Sequence, residues 1–256
     1  MNTNYTEIGC GIYQSRVSPA DQASNAGSAS STSSASNSSN VNQTQLATVS
    51  LQEDGVEQEF QIWDFRHSKL AALILKGFIP PITESSLVLY LGAASGSTAI
   101  HISNIVQNGL VYVLEFSPTV MKKLISRCES RQNMIPIFAD ANHPERYAYL
   151  VDKVDIIYQD IAQRNQAEIA LKNAEYFLKD DGYLILMIKA RSIDSTADTK
   201  EIFKKEVEEL KKHLSIVKTV KLPGYRDHLA VIARGRNSTA TDPTANSTAS
   251  APTRRP

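Results

Sequence analysis

The most informative stretch of this 256-residue chain is LVLYLGAASGST, residues 87–98. It joins a continuous apolar run to a turn of glycine, alanine and serine, and such a run is typical of a strand buried on both faces in a parallel sheet. Small residues after the strand let a ligand approach the backbone at the carboxyl edge of the sheet. No lysine follows the second glycine, which excludes a P-loop. Taken alone, the turn fits an ordinary strand-to-helix connection equally well.

Similar apolar runs recur at helix-length intervals, which predicts an α/β domain with a mainly parallel sheet. The further predicted strands are residues 110–114, 134–138, 154–158, 183–188, 215–220 and 229–235, the last two separated by Pro223-Gly224. One of the helices between these strands is predicted from its N-cap and from a stripe of apolar residues along one face. Asp198 is the predicted N-cap with Glu201 three residues later, and the apolar stripe is Phe203, Val207, Leu210 and Leu214.

The first quarter of the chain has a different pattern. LATVSLQ (46–52) and VEQEFQIW (56–63) alternate around Glu53-Asp54-Gly55, which predicts a hairpin, and GIYQSRV (11–17) is a candidate third strand. Residues 24–44 and 237–253 consist almost entirely of Ser, Asn, Ala, Gly and Thr, so we expect both to be disordered. The predicted organisation is a β unit (1–62) with a disordered insertion (24–44), a main domain (63–236) and a disordered tail (237–256).

Charge and cysteine content narrow the function classes. The chain has 27 basic and 27 acidic side chains, which argues against a protein that holds nucleic acid by bulk positive charge alone. Cys10 and Cys128 lie far apart and the histidines show no ligand spacing, so we predict neither a disulfide framework nor a metal site. No apolar run approaches the ~20 residues of a membrane span, and we expect no membrane association.

Small or acidic residues end four successive predicted strands. Glu115 ends the second, where a carboxylate can accept both hydrogen bonds of a ribose diol. Asp140 follows the third and can bond an adenine amino group, and Asp160 to Gln163 follow the fourth. This pattern predicts a nucleoside cofactor, and NAD and S-adenosylmethionine fit it equally well.

The order and spacing of these motifs resemble the fibrillarin family over about 180 residues. The matching segments are IWDFRHSKLAALIL, LVLYLGAASGSTAIHISNIV, GLVYVLEFSP, NMIPIFADANHPERY, VDIIYQDIAQ, DGYLILMIKARSIDST and RDHLAVIA. The resemblance implies a Rossmann-like, S-adenosylmethionine-dependent methyltransferase with a seven-stranded sheet, its last strand antiparallel, and a small N-terminal β unit. The positions that match the family's cofactor motifs are Gly92, Ala93, Ser97, Thr98, Glu115, Phe116, Asp140, Ala141, Asp160, Ile161, Ala162 and Gln163.

The resemblance also implies a catalytic set of two lysines, an aspartate and a fourth polar group. The matching positions are Lys69, Asp160, Lys189 and the pair Asp227-His228. A lysine beside a carboxylate suits transfer to a ribose hydroxyl, because the hydroxyl must be aligned and its developing negative charge stabilised. Two segments depart from the family pattern. Residues 63–69 lack a proline and the arginine before Ser-Lys, and Tyr225 is shifted by one position.

The function implied is 2′-O-methylation of ribose in rRNA or tRNA within a guide-RNA complex. The partners implied are box C/D guide RNA, the target rRNA or tRNA, a Nop-domain scaffold protein and a kink-turn-binding protein of ribosomal type. No Gly/Arg-rich segment of the eukaryotic kind precedes the domain, which favours the archaeal form and a cytoplasmic location; a eukaryotic protein would be nucleolar. A catalytically silent subunit, a protein methyltransferase and an NAD-dependent dehydrogenase are the alternatives.

Overall fold

The computed structural model describes residues 6–8, 12–16, 48–53 and 56–235. The segments 24–44 and 237–256, for which the sequence predicts disorder, lie outside the described residues. Within the described part, no helix is both long enough and apolar enough to cross a membrane.

The N-terminal strands form an antiparallel sheet in the order β1-β2-β4-β3. The strands are β1 (Thr6–Ile8), β2 (Ile12–Arg16), β3 (Thr48–Glu53) and β4 (Val56–Asp64). β3 and β4 pair with Glu53 opposite Val56, so the predicted hairpin is confirmed, and β2 confirms the predicted third strand. β1 was not predicted, because three residues are too short to show a two-residue period.

The second sheet has seven strands in the order β10-β11-β9-β8-β5-β6-β7. Its strands are β5 (Leu87–Leu91), β6 (Leu110–Glu115), β7 (Met134–Phe138), β8 (Val154–Gln159), β9 (Leu178–Lys189), β10 (Leu214–Lys221) and β11 (His228–Gly235). β5 to β9 pair in parallel, and β11 lies antiparallel between β9 and β10. The predicted fold class is therefore confirmed, including the antiparallel last strand.

The connections between these strands are mostly helical. The helices are α1 (Lys69–Leu75), α2 (Ser97–Ile105), α3 (Pro118–Cys128), α4 (Gln166–Phe177), α5 (Ala190–Ile193) and α6 (Thr199–Lys211), with a 3-10 turn at Pro144–Arg146. As predicted, Asp198 caps α6, because its carboxylate accepts the Lys200 and Glu201 amides. The predicted stripe was wrong at one position: Leu214 begins β10, since the helix ends at Lys211.

Both faces of the seven-stranded sheet are buried. In β5, Val88 and Tyr90 belong to one apolar cluster while Leu89 and Leu91 belong to the other, as the two-residue period of a strand requires. Helices α1, α2 and α3 contribute to the first cluster, and α4 and α6 to the second. The order of connections reverses between β5 and β8, and ligands of open α/β sheets bind outside the carboxyl ends of the strands at such a point.

Candidate active site

The glycine-rich turn after β5 lies directly against the loop after β8. Gly92 and Gly96 have φ of 78° and 88°, values that favour glycine, and Ala94 between them has φ of 50°. A Cβ on Gly92 would lie 2.7 Å from Cγ2 of Ile161 and 3.0 Å from the backbone oxygen of Asp160. Only glycine therefore lets these two loops approach so closely.

Glu115 ends β6 and anchors the glycine-rich turn. Its Oε2 accepts a hydrogen bond from the Ala94 amide (3.0 Å), and its Oε1 accepts those of Phe116 (3.0 Å) and Ser117 (2.9 Å). The carboxylate is thus held by three backbone donors from two loops. The ring of Phe116 beside it is 58% exposed and provides an aromatic face at the same edge.

The loop after β7 carries a second ordered carboxylate. Oδ1 of Asp140 accepts bonds from the Asn142 backbone amide (2.9 Å) and side chain (3.1 Å), and the Asn142 side chain also donates to Oε1 of Gln163. Burial raises the pKa of Asp140, but the hydrogen bonds from Asn142 and Gln163 outweigh it and leave the pKa below its usual value. The carbonyl of Ala141 accepts a bond from Asn173. Asp140 is therefore an ionised acceptor linked to the β8 loop.

Asp160 joins two lysines from distant parts of the chain. Its Oδ2 accepts a hydrogen bond from Nζ of Lys69 (3.0 Å), and its Oδ1 lies 2.9 Å from Nζ of Lys189. Lys189 also donates to the backbone oxygen of Asp160 at 2.8 Å. The three side chains are only 14–18% exposed, so solvent screens this cluster weakly.

The two candidates for the fourth position are placed differently. His228 pairs with Lys189 across β11 and β9, and its ring packs edge-on against Tyr225. Burial, and then the positive charge of Lys69, lowers the pKa of His228, so its imidazole is neutral at pH 7. The Asp227 carboxylate instead makes an ion pair with Arg191 at 3.5 Å. His228 therefore lies beside the strand position of Lys189, whereas the carboxylate of Asp227 is engaged by Arg191.

Tyr225 connects the turn before β11 to the segment that leads into α1. Its hydroxyl shares one proton between two nearby acceptors, the backbone oxygens of Phe65 (3.1 Å) and Arg66 (2.9 Å). Its ring centroid lies 5.2 Å from Nζ of Lys69. Burial, and then the charge of Asp160, raises the pKa of Tyr225 to about 12, which keeps the hydroxyl protonated. Tyr225 is thus a site residue whose role could not be predicted from its shifted position in the sequence.

The remaining predicted cofactor residues differ in exposure. Gly92 and Ser97 are partly exposed at the edge, whereas Ala93, Thr98 and Ile161 are buried, and Ala162 is exposed. The Thr98 hydroxyl donates to Oγ of Ser68, the N-cap of α1, at 3.0 Å. The hydroxyl of Thr98 is therefore used inside the protein, where it ties α2 to the helix that begins with Lys69.

Sequence reasoning also missed two buried glutamines, Gln159 and Gln166. Gln159 Nε2 donates to the backbone oxygen of Gln166 at 2.8 Å, and the Gln166 side chain bonds the backbone of Lys189 and Gln163. A signal was available, because Gln159 follows the apolar run of residues 156–158, and a buried polar group there needs a partner. The partner itself could not be identified without the fold.

The donors and acceptors at this edge fit S-adenosylmethionine. Glu115 can accept from the hydroxyls of a ribose, the exposed ring of Phe116 offers a stacking face, and Asp140 is an acceptor for an adenine amine. The cluster of Lys69, Asp160 and Lys189 lies at the end of the neighbouring strand. The same edge can therefore hold a nucleoside and align a nucleophile.

Comparisons with known proteins agree on one family. The fibrillarin family model matches residues 11–237. The fibrillarin-like rRNA/tRNA 2′-O-methyltransferase of Methanosarcina mazei is 51% identical over 181 residues, which cover 69% of this chain and 80% of that protein. A fibrillarin in a crystal structure of a fibrillarin/Nop5p complex is 46% identical, with a TM-score of 0.67 over 69% of this chain and 85% of that one. Aeropyrum pernix fibrillarin, crystallised with natively bound S-adenosyl-L-methionine, is 42% identical, with a TM-score of 0.66 over 75% and 84%.

Proposed function

The chain belongs to the fibrillarin family, and on this basis we propose that it transfers the methyl group of S-adenosylmethionine to ribose 2′-hydroxyls of rRNA or tRNA. The observation that carries the proposal is the carboxylate of Asp160 between the ammonium groups of Lys69 and Lys189. This cluster lies beside a loop suited to a nucleoside cofactor. Similarity to a methyltransferase of Methanosarcina mazei and to a fibrillarin with bound S-adenosylmethionine supports the reaction and the cofactor.

The chain's own residues have a limited task in this reaction. S-adenosylmethionine, when bound, supplies a methyl group on a sulfonium, which is already a good leaving group. Lys69 and Lys189 provide two positive charges that stabilise negative charge developing on the ribose oxygen. Asp160 fixes both ammonium groups, so they need no reorientation when that charge appears. Alignment and electrostatic stabilisation are therefore the main contributions of the protein.

His228 is the proposed fourth member of the catalytic set. Burial, and then the charge of Lys69, lowers the pKa of His228, so its imidazole is neutral at pH 7 and can accept a proton. We propose no catalytic role for Asp227, whose carboxylate is paired with Arg191. The proposed acceptor for the proton of the ribose hydroxyl is therefore the imidazole of His228.

The partners are proposed from the family and from the charge of the chain. Because basic and acidic groups balance, the chain needs other components to hold RNA. A fibrillarin of 46% identity is known in complex with Nop5p, which supports a Nop-domain scaffold. Box C/D guide RNA and a kink-turn-binding protein complete the proposed complex. Since the relatives are archaeal, we propose a cytoplasmic complex.

The test is methylation in the assembled complex with labelled S-adenosylmethionine and a guide-matched RNA. Lys189→Ala should lower the single-turnover rate by about 10²-fold or more while cofactor affinity persists, because its ammonium acts on the ribose oxygen. Lys179→Ala is the matched control. Lys179 pairs with Asp155 at 2.7 Å across the same two strands, β8 and β9, but at the opposite edge of the sheet. The Lys179→Ala variant should leave the single-turnover rate unchanged.

The outcomes separate the proposal from its alternatives. Equal rates for Lys189→Ala and wild type would contradict the catalytic assignment. Methylation of a protein acceptor in place of RNA would contradict the substrate. Site-specific methylation by the isolated chain would contradict the need for partners. A complex that assembles and binds cofactor but methylates nothing would identify a silent subunit.

A further inference from the structure

Gln166, the first residue of α4, is fully buried beside the catalytic cluster, and its side chain contacts two segments of the proposed site. Its Oε1 accepts a hydrogen bond from the backbone amide of Lys189 at 2.8 Å. Its Nε2 donates to the backbone oxygens of Lys189 (3.2 Å) and Gln163 (2.8 Å). One side-chain amide thus bonds both backbone groups of the catalytic lysine and one carbonyl of the cofactor loop.

These bonds lie where the sheet no longer supports β9 on one side. The last paired positions of β8 and β9 are Gln159 and Leu186, so the pairing of these two strands ends three residues before Lys189. On its other side, Lys189 lies opposite His228 of β11. The Gln166 amide therefore supplies the donor and the acceptor that a continuing β8 strand would have provided.

Gln166 is in turn held by Gln159, the last residue of β8. Gln159 is also fully buried, and its Nε2 donates to the backbone oxygen of Gln166 at 2.8 Å. Asp160, which pairs with both lysines, follows Gln159 directly in the chain. The end of β8, the start of α4 and the end of β9 therefore form one bonded unit around Asp160 and Lys189.

We propose that Gln166 is a positioning residue that fixes the backbone of Lys189 to the cofactor loop, so that the catalytic ammonium and the bound cofactor keep a constant separation. This inference rests on the proposed function for its catalytic meaning. A displacement of about 1 Å of a catalytic group can cost about 10²-fold in rate, so a residue that never touches substrate can control turnover. Burial excludes direct contact of the Gln166 side chain with RNA.

The first measurement reads the hydrogen bond itself and needs no activity. Amide hydrogen exchange of Lys189, followed by NMR on the full chain without RNA, should be slow in the wild type, because the amide is bonded inside the protein. In Gln166→Met, which keeps the length and volume of the side chain but has no amide, exchange at Lys189 should rise by about tenfold or more. Gln166→Ala tests the same loss with a smaller side chain.

Asn133→Ala is the matched control. The Asn133 side-chain amide also donates to two backbone oxygens, those of Ser103 (2.8 Å) and Val106 (2.7 Å), but it precedes β7 at the opposite edge of the sheet. This variant should lose stability to a similar degree and leave Lys189 exchange unchanged. An effect that comes only from lost stability will therefore appear in both Gln166→Met and Asn133→Ala.

The second measurement is kinetic and uses the assembled complex. Gln166→Met should lower the single-turnover rate at saturating cofactor by about 10- to 100-fold, since Lys189 is no longer held. The dissociation constant for S-adenosylmethionine should rise only about 3- to 10-fold, because the loop keeps its other contacts. Asn133→Ala should change neither value below its melting temperature.

Several results would overturn the inference. Fast exchange at Lys189 in the wild type would show that the bond to Gln166 does not hold in solution. A Gln166→Met protein with normal turnover would show that the bond has no effect on catalysis, and equal losses in Asn133→Ala would show a purely structural role. If the wild-type complex methylates nothing, the proposed function fails, and the exchange measurement still decides whether Gln166 holds Lys189.

Discussion

Gly92→Ala tests the close approach of the two loops that meet below the proposed cofactor site. Its matched control is Gly77→Ala, since both glycines have φ of 78°. Forcing alanine into this left-handed conformation costs about 1–2 kcal/mol in either variant. A Cβ at position 77 would have no neighbour within 4 Å, whereas one at position 92 would lie 2.7 Å from Ile161 Cγ2. The difference between the variants therefore isolates the loop contact.

The size of that difference follows from the contact distances. Carbon atoms pack best at about 3.5–4.0 Å, so Ile161 must move by roughly 1 Å, and the backbone oxygen of Asp160 at 3.0 Å is crowded as well. Overpacking of this kind costs about 1–3 kcal/mol. In a domain of this size that corresponds to a melting temperature lower by about 2–12 °C than in Gly77→Ala.

Crowding of Asp160 by a Cβ at position 92 should also affect catalysis. Asp160 holds both lysines, and its backbone oxygen must give way by a smaller amount than Ile161, so the single-turnover rate should fall in Gly92→Ala by up to about 10²-fold. Gly77→Ala should keep the wild-type rate. The assays are thermal and urea denaturation, cofactor calorimetry and single-turnover methylation. Equal stability losses in the two variants, or a destabilised Gly92→Ala that binds and turns over normally, would refute the argument.

Three further variants test separate contacts. Glu115→Ala should weaken cofactor binding by about 10- to 100-fold, since one hydrogen bond to a charged group is worth roughly 1.5–3 kcal/mol; calorimetry showing unchanged affinity would remove Glu115 from the site. Tyr225→Phe should slow single turnover by less than about tenfold, because the ring beside Lys69 remains and only the hydroxyl is lost; a loss equal to that of Lys189→Ala would contradict this. Burial, aided by Arg131, lowers the pKa of His101 from 6.5 to about 3, so the folded state resists protonation and stability is lost as the pH falls from 6.5 toward 3. His101→Phe should flatten that part of the profile in urea denaturation, and an unchanged profile would assign the acid sensitivity to other groups.

Much of the fold could be predicted because its signals are local. Buried strands such as β5 and β8 appear as short apolar runs, and the N-cap of α6 shows in Asp198 and Glu201. Each depends on hydrogen bonding and burial within a few residues, which composition and period express directly. The family was recognised for the same reason, since its motifs are short and ordered, and the family match confirms it.

The site was predicted less completely. The residue types at the strand ends were visible, but the double use of Glu115, which also holds the glycine-rich turn through Ala94, was not. Nor could Asp227 and His228 be told apart, because the sequence does not show that β11 begins between them, with Asp227 in the turn and His228 in the strand. The register that pairs His228 with Lys189 settles their placement.

By itself, the sequence determined the strand and helix order, the methyltransferase class of the sheet and the set of candidate groups at its carboxyl edge. Only the tertiary structure decided that Lys69, 91 residues before Asp160, bonds the same carboxylate as Lys189. It also decided that the buried side chain of Gln166 bonds the backbone of Lys189, where β9 is no longer paired with β8. The physical reason is that hydrogen bonds and ion pairs between distant segments depend on how sheets and helices pack, and a linear pattern carries no record of the partner.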